Sequence, residues 1–325
     1  MAKIIAVGGG TGTPVILRGL RKNSNHQLSA VVTVTDSGGS TGRLRQEFGF
    51  LPVGDLRQCL AALADNQLSD ELFNLLFYRF GGKGSLKGHS LGNLILTAFE
   101  DIKKSPGEAV ATVAKIFRVQ GNIYPVTEDI ADLVIKYDDN SQVIGEHILD
   151  DHTTGGKTIA KLSLTQKTRL YQPVKTALME ADMIVLGPGD LYGSLIPHSL
   201  VEGFNQTLQQ TSAKFVYVIN LMTHFSQTHQ MSANDHLNTV TQYFKRQPDY
   251  VIVNNGAIST ELLRVYATEK EYPVENNLPN NGMTKIIHGD FVAQVSIKLD
   301  SNDEVKRSLL RHDADKLAAQ LEKLI

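Results

Sequence analysis

The sequence predicts an α/β fold in which helices cover both faces of a mostly parallel sheet. Lys3–Val7 is a short apolar run bounded by a charge and by glycines, which is typical of a strand buried on both faces. A glycine run follows at once, and Val15–Leu20 then has apolar residues at helical spacing. The same order of strand and glycine-rich turn returns at Met183–Ser194, which predicts a doubly wound sheet.

The first glycine-rich turn has the composition of a phosphate-binding loop. It consists of Gly8, Gly9, Gly10, Thr11 and Gly12. Glycines allow a ligand to approach the backbone closely, and the free N–H groups of a helix N-terminus favour an anion. The dinucleotide fingerprint needs a glycine where Thr13 or Val15 stands, and the lysine of a P-loop is absent. A tight turn without a ligand is the alternative, although five small residues exceed what a turn needs.

A second candidate site follows the strand predicted at Leu28–Val34. Its residues are Thr35, Asp36, Ser37, Gly38, Gly39, Arg43 and Arg45. An acid at the end of the second strand can accept from a ribose hydroxyl or hold a cation. The two arginines can act as forked donors to phosphate. The alternative is a flexible surface loop with two solvated arginines.

Two further helix starts carry polar residues that could join this site. Asp55 and Arg57 begin an alanine- and leucine-rich helix, so Asp36 and Asp55 are candidate ligands for Mg²⁺ and Arg57 for an anion. Asp55 could instead be a helix cap. His89 and Asn93 lie four residues apart and share a helix face only if that helix has begun at His89.

The second glycine-rich turn supplies the remaining candidates at the edge of the predicted sheet. They are Gly187, Gly189, Asp190, Tyr192 and Ser194. Two such turns at strand C-termini flank the switch point at which open sheets bind ligands. The segment at about 121–165 alternates around Asp138–Ser141 and predicts an inserted β-rich flap on a single domain spanning 1–325.

The remaining pattern predicts further helices and strands along the chain. Helices are expected at about 55–64, 68–80, 89–103, 107–117, 174–180, 234–244 and 259–269, and a last one capped by Asp313. Strands are expected at 183–186, 214–221, 250–254 and 291–297.

Composition narrows the classes of function. A formal net charge of −2 over 325 residues gives no support for nucleic acid as the main partner. No apolar run approaches the roughly 20 residues of a membrane span, and no signal peptide is expected at the N-terminus. The single Cys59 suits a reducing cytoplasm, and no HExxH or GxSxG motif is present. We therefore expect a cytoplasmic protein that handles nucleotide or phosphate, with homo-oligomerisation left open.

Five segments occur together in a familiar order. They are GGGTG at 8–12, TDSGGSTGRLR at 35–45, PVGDLR at 52–57, HSLGNL at 89–94 and GPGDLYGSLIP at 187–197. The chain resembles, over essentially its whole length, the bacterial gluconeogenesis factor family, a branch of the 2-phospho-L-lactate transferase superfamily.

This resemblance implies a three-layer αβα Rossmann-like fold. It also implies a cytoplasmic protein that is needed for growth on gluconeogenic carbon and for normal cell shape, and that binds UDP-sugars, notably UDP-N-acetylglucosamine. The transferase branch instead moves a phospholactyl group from a guanosine-linked donor with the help of magnesium. Its anchor residues correspond to Gly8–Gly12, Asp36 and Asp55.

The match has departures and adds three candidate ligand residues. Asp190 and Gly193 stand where the family commonly has Ser and Thr, and 224–226 also differs, which puts nearby substrate contacts in doubt. The added residues are Asn220, Tyr266 and Arg311. A tyrosine can stack on uracil, and an arginine at a helix start can pair with a diphosphate.

Two functions are compatible with these motifs. One is a regulatory nucleotide-sugar binder, and the other is a magnesium-dependent transferase that uses Asp36 and Asp55 as catalytic residues. Both require the two glycine turns, so only the role of the two carboxylates separates them. A nicotinamide oxidoreductase is disfavoured because the dinucleotide fingerprint fails.

Overall fold

A seven-stranded parallel sheet forms the centre of the computed structural model, which describes residues 1–65, 70–150, 154, 156–279, 282–294 and 309–325. Its strands are β1 (Ala2–Gly8), β2 (His26–Val32), β3 (Asn122–Pro125), β7 (Met183–Leu186), β8 (Lys214–Val218), β9 (Tyr250–Asn254) and β10 (Lys285–Gly289). Their order across the sheet is β10-β9-β8-β7-β1-β2-β3, and all neighbours are parallel. The predicted α/β class is confirmed.

Helices cover both faces of this sheet. Those of the described chain are α1 (Gly12–Leu20), α2 (Gly39–Phe48), α3 (Gly54–Leu63), α4 (Asp70–Phe77), α5 (Leu91–Lys103), α6 (Pro106–Ile116), α7 (Gln172–Glu180), α8 (Phe204–Gln210), α9 (Ala233–Phe244), α10 (Thr260–Thr268) and α11 (Ala314–Glu322). Alternate residues of β1 point to opposite faces. Ile4 belongs to the buried cluster that includes residues of α1, α3, α5, α6 and α11, whereas Ile5 belongs to the cluster that includes residues of α7, α8 and α9. The predicted three layers are therefore present.

The β-rich insertion is a three-stranded antiparallel sheet with the order β5-β4-β6. Its strands are β4 (Leu133–Tyr137), β5 (Gln142–Ile144) and β6 (Ile159–Leu164). The insertion is shorter than expected, because β3 pairs with β2 in the main sheet. Leu133, Ile135 and Leu162 join the same buried cluster as Ile5, so this flap packs on the main core.

Two elements differ from the sequence expectation. The last strand is β10 rather than 291–297, since Phe291 turns into the core and Val292 makes only an isolated bridge to His312. Residues 295–297 of that expected strand lie outside the described residues. The segment expected to be a loop after Asp36 becomes α2 from Gly39 onward. No helix in the described part of the chain is long and apolar enough to cross a membrane.

The C-terminal helix α11 is locked to α1 at a close crossing. A Cβ on Gly19 would lie 2.1 Å from the carbonyl oxygen of Ala314, so only glycine fits there. Asp313 caps α11, because its Oδ1 accepts from the backbone N–H groups of Asp315 and Lys316 at 2.9 Å each. The predicted cap is confirmed. The close crossing with α11 holds α1, whose N-terminus lies at the carboxyl ends of the strands.

Candidate functional site

The two glycine-rich turns meet at the carboxyl ends of β1 and β7, which are neighbours in the sheet. A Cβ on Gly12 would lie 1.9 Å from the carbonyl oxygen of Pro188, so the start of α1 rests directly against the second turn. In the sheet, β1 lies between β2 on one side and β7 on the other, and the strand order reverses at this point. The carboxyl ends of β1 and β7 are therefore the switch point of the sheet.

The first turn forms a cradle in which Gly9 has no room for a side chain and Gly10 faces open space. The N–H of Gly10 donates to Oδ2 of Asp55 at 2.6 Å, and a Cβ on Gly9 would lie 2.6 Å from the same oxygen. Gly10 has a φ of +60°, a conformation that favours glycine. The Ser194 hydroxyl lies 3.5 Å from the position of a Cβ on Gly10. The cradle is therefore walled by Asp55 and Ser194.

Three helices begin at this cleft. They are α1 at Gly12, α2 at Gly39 and α3 at Gly54. The first follows the carboxyl end of β1, the second follows that of β2, and the third comes after α2. A Cβ on Gly54 would lie 3.2 Å from Oδ2 of Asp36, so α3 begins beside the loop after β2. Helix N-termini present unpaired N–H groups and positive partial charge, so the cleft suits an anionic ligand.

Asp36 lies close to the start of α3 and hence to Asp55, because a Cβ on the preceding Gly54 would lie 3.2 Å from Oδ2 of Asp36. Their joint role as a metal site remains a prediction. Burial and the neighbouring Asp36 raise the pKa of Asp55 to about 7, despite the bond from Gly10. Burial also raises the pKa of Asp36, while its bonds from the Gly38 N–H at 2.8 Å and from the Thr41 hydroxyl act the other way. Two adjacent half-buried carboxylates either share protons or hold a cation.

The structure adds two carboxylates that the sequence reasoning missed. Glu146 and Asp150 lie at the two ends of a short 3₁₀ turn of the flap, Glu146–Asp150, hereafter the flap turn. Burial raises the pKa of Glu146 well above its usual range, and the charges of Asp36, Asp150, Asp55 and Asp190 raise it further. Asp190 also raises the pKa of Asp55. Oε1 of Glu146 also lies 3.0 Å from the position of a Cβ on Gly193, so the flap turn faces the second glycine turn at the cleft.

Contacts on both sides hold the flap turn in place. The Ser37 hydroxyl accepts from the backbone N–H of His147 at 3.1 Å and bonds to its Nδ1 at 2.8 Å. On the other side, the Ser226 hydroxyl donates to the carbonyl oxygen of Leu149, and its Oγ is 3.1 Å from Nδ1 of His224. The departures noted at 224–226 thus support the flap.

The carboxylates fit a magnesium ion only in combination with a ligand. In the part of the chain that the structure describes, no three histidine, cysteine or acidic side chains are placed to hold a metal together. Mg²⁺ commonly uses one or two carboxylates and completes its shell with substrate phosphates and water. Asp36 and Asp55 are the pair that would hold it, and the ion would neutralise phosphate charge beside them.

Arg57 and Asn93 lie behind the cleft in a buried network. Nε of Arg57 donates to Oδ1 of Asn93 at 2.8 Å, and its Nη1 donates to the Leu76 carbonyl oxygen at 3.1 Å. Nδ2 of Asn93 is 3.3 Å from Oγ of Ser40, which also lies 3.1 Å from Nδ1 of His89. His89 and Asn93 thus converge on the first turn of α2, although α5 begins only at Leu91. Their ligand contacts remain predictions.

Arg43, Thr35 and Tyr192 have partners within the protein. Arg43 is exposed and donates from Nη2 to the Lys87 carbonyl oxygen at 2.9 Å. The buried Thr35 hydroxyl is 3.0 Å from that of Thr33. Tyr192 is 7 % exposed and packs in the core below the second turn, so its ring is not a surface of the cleft.

The three residues added by the resemblance occupy different surroundings. Asn220 follows β8, and its Oδ1 is buried without a hydrogen-bond partner in the described chain. Tyr266 is 7 % exposed, packs with Leu221 and Leu262, and accepts from the Leu310 N–H at 2.8 Å. Arg311 is exposed, and its charge lowers the pKa of Arg18 in α1 after the effect of burial. Their contacts with a nucleotide remain predictions.

Fold and site together define a doubly wound α/β protein with a glycine-lined, carboxylate-bearing cleft at its switch point. A family model described as 2-phospho-L-lactate transferase CofD matches residues 4–292, and the chain belongs to this family. The relatives of the chain carry a different name. The chain is 38 % identical to the "Putative gluconeogenesis factor" of Thermotoga maritima, over 99 % of each of the two chains.

Two more relatives extend this agreement. The "Gluconeogenesis factor" of Listeria innocua is 34 % identical, with 98 % of this chain and 94 % of the relative covered. A crystal structure of a UPF0052 family protein from Bacillus halodurans superposes with a TM-score of 0.88 at 32 % identity, covering 99 % of this chain and 98 % of that one. The family and the fold predicted from the sequence are thus confirmed.

Proposed function

We propose that this chain is a cytoplasmic nucleotide-sugar binding factor whose ligand is of the UDP-N-acetylglucosamine type. The cradle at Gly9 and Gly10, facing Ser194 and the start of α1, is the observation that carries the proposal. The names of the relatives and the resemblance extend it to growth on gluconeogenic carbon and to cell shape. In this role the protein senses a nucleotide sugar rather than consuming it.

The cleft offers distinct surroundings to the parts of such a ligand. The diphosphate is expected at the first turn, where the N–H groups of α1 and the Ser194 hydroxyl can donate to its oxygens. The adjacent Asp36 and Asp55 would repel it when ionised, and Mg²⁺ held by these residues would supply positive charge that offsets the repulsion. We therefore expect binding to be stronger with magnesium.

The paired carboxylates also favour a second function, a transferase of the family's other branch. In that reaction an acceptor hydroxyl attacks the phosphorus distal to the nucleoside and passes its proton to a carboxylate. The bond between the two phosphates breaks, and a nucleoside monophosphate leaves. Asp55 could support this step because it flanks the cradle, and Asp36 lies beside it at the start of α3.

Calorimetric titration with UDP-N-acetylglucosamine and with GDP-linked metabolites, with and without Mg²⁺, tests the proposal. We expect the UDP-sugar to bind more tightly with magnesium and phosphorus NMR to show no release of nucleoside monophosphate. Release that is abolished by Asp36→Asn or Asp55→Asn would establish the transferase instead. Failure of every UDP-sugar to bind would refute the binding factor.

A further inference from the structure

The flap turn brings one side chain into a space that the second glycine turn leaves open. Oε1 of Glu146 lies 3.0 Å from the position of a Cβ on Gly193, and its Cγ lies 3.7 Å from it. Leu149 of the same turn lies 3.5 Å from that position. A side chain at residue 193 would therefore compete with Glu146 for the same space.

The position of Glu146 is fixed from both sides. The next residue, His147, is bound to Ser37 of the loop that follows β2. Leu149 is bound through its carbonyl oxygen to Ser226, which follows β8. These contacts join the flap turn to two strand ends of the main sheet, so Glu146 is held at the cleft and does not project from a free loop.

The carboxyl group of Glu146 is half-buried and has no hydrogen-bond partner within the described residues. Its electrostatic neighbours are Asp36, Asp55, Asp150 and Asp190. In the absence of a cation, a phosphate placed beside it would meet charges of its own sign, whereas a hydroxyl group can donate to a carboxyl oxygen. The chemistry beside Glu146 thus favours a neutral group rich in hydroxyls.

We propose that Glu146 binds the hydroxyl groups of the sugar in a nucleotide-linked ligand, and that Gly193 provides the room for it. The inference rests on the proposed function, in which the diphosphate occupies the first glycine turn. Glu146 is then a specificity-determining residue, supplied by the flap, that distinguishes a nucleotide sugar from the free nucleotide.

Paired titrations with UDP-N-acetylglucosamine and with UDP test this assignment. Glu146→Ala should weaken the nucleotide sugar by up to about tenfold and leave UDP unchanged, since one hydrogen bond to a carboxyl group is lost. Glu146→Gln, which keeps the shape, should lose less. The control is Asp138→Ala, which removes an exposed carboxylate at the other end of the flap and should change neither affinity.

The outcomes separate this inference from the function on which it rests. If the wild type binds neither compound, the proposed function fails. If the wild type binds both and Glu146→Ala weakens neither, or weakens UDP as much as the nucleotide sugar, the sugar contact is refuted. Melting temperatures of the variants show whether each has folded.

Gly193→Ala adds a test of coupling between the two residues. The new methyl group should displace Glu146 and weaken the nucleotide sugar on its own. In the Glu146→Ala background the same change should cost nothing more, because the displaced group is already gone. Additive losses would show that Gly193 acts independently and would refute the pairing.

Discussion

Asp55 connects three parts of the site through a single carboxylate. Its Oδ2 accepts a hydrogen bond from the N–H of Gly10 and lies 2.6 Å from the position of a Cβ on Gly9. Burial and the charge of the neighbouring Asp36 raise the pKa of Asp55. Its pKa is raised from 3.8 to about 7 in the folded protein. The carboxylate therefore changes protonation in the neutral range, where cation binding would also compete with the proton.

We predict a pH dependence of stability from this carboxylate. The folded chain keeps the proton of Asp55 up to about pH 7, whereas the unfolded chain releases it near 3.8. The folded state then binds more protons between these values, so stability falls as the pH rises from about 4 to about 7. Asp55→Asn removes this contribution and still accepts from Gly10.

Thermal unfolding from pH 5 to pH 8 without added metal measures the effect. The melting temperature of Asp55→Asn should gain on that of the wild type as the pH rises. Glu100→Gln is the matched comparison away from the cradle. Burial raises the pKa of Glu100 to about 7 as well, so the melting temperature of this variant should also gain on that of the wild type as the pH rises. Parallel curves for the wild type and Asp55→Asn would contradict the assignment.

At the scale of elements, Arg57 ties α3 to α4 and α5. It is 5 % exposed, bonds to Asn93 and to the Leu76 carbonyl oxygen, and lies 5.2 Å above the ring of Phe77. This network supports the helices behind Asp55 and Ser40. The fork of a guanidinium is needed for it, since an ammonium group cannot reproduce two directed bonds and a stacked plane.

Arg57→Lys should therefore lower the free energy of unfolding by about 2–3 kcal/mol. Arg43→Lys is the matched control, because Arg43 is exposed and makes one bond to a backbone carbonyl, so its loss should cost about 0.5 kcal/mol or less. Urea unfolding of both variants provides the comparison. Equal losses would contradict the structural role of Arg57.

At the scale of the whole molecule, local patterns predicted the sheet and its two glycine turns. Apolar runs such as Met183–Leu186 and Val251–Val253 are buried as expected. Elements with a weak apolar pattern escaped prediction. The helix α2 has few apolar residues, and β10 is a half-buried edge strand.

The candidate site was predictable only where its residues lie in recognisable turns. Asp36 and Asp55 follow strand and helix boundaries, so they could be placed at one edge of the sheet. Glu146 has no local motif, and it reaches the cleft because His147 contacts Ser37 across 110 residues of sequence. Such long-range packing leaves no periodic signal in the chain.

The proposed cradle is tested most directly by two glycine substitutions with the same backbone cost. Gly10 has a φ of +60° and Gly49 a φ of +70°, so alanine should destabilise either position by about 1–2 kcal/mol. Of the two, Gly10 faces the cleft, where a Cβ would lie 3.5 Å from the Ser194 hydroxyl, whereas nothing lies within 4 Å of a Cβ on Gly49. Stability and binding can thus be separated.

The measurement is the dissociation constant of UDP-N-acetylglucosamine for the wild type, Gly10→Ala and Gly49→Ala, by calorimetry with Mg²⁺. We expect Gly10→Ala to weaken binding at least tenfold, because its methyl group occupies the place of the ligand, and Gly49→Ala to bind like the wild type. Equal dissociation constants for all three folded proteins would contradict a ligand at the first glycine turn.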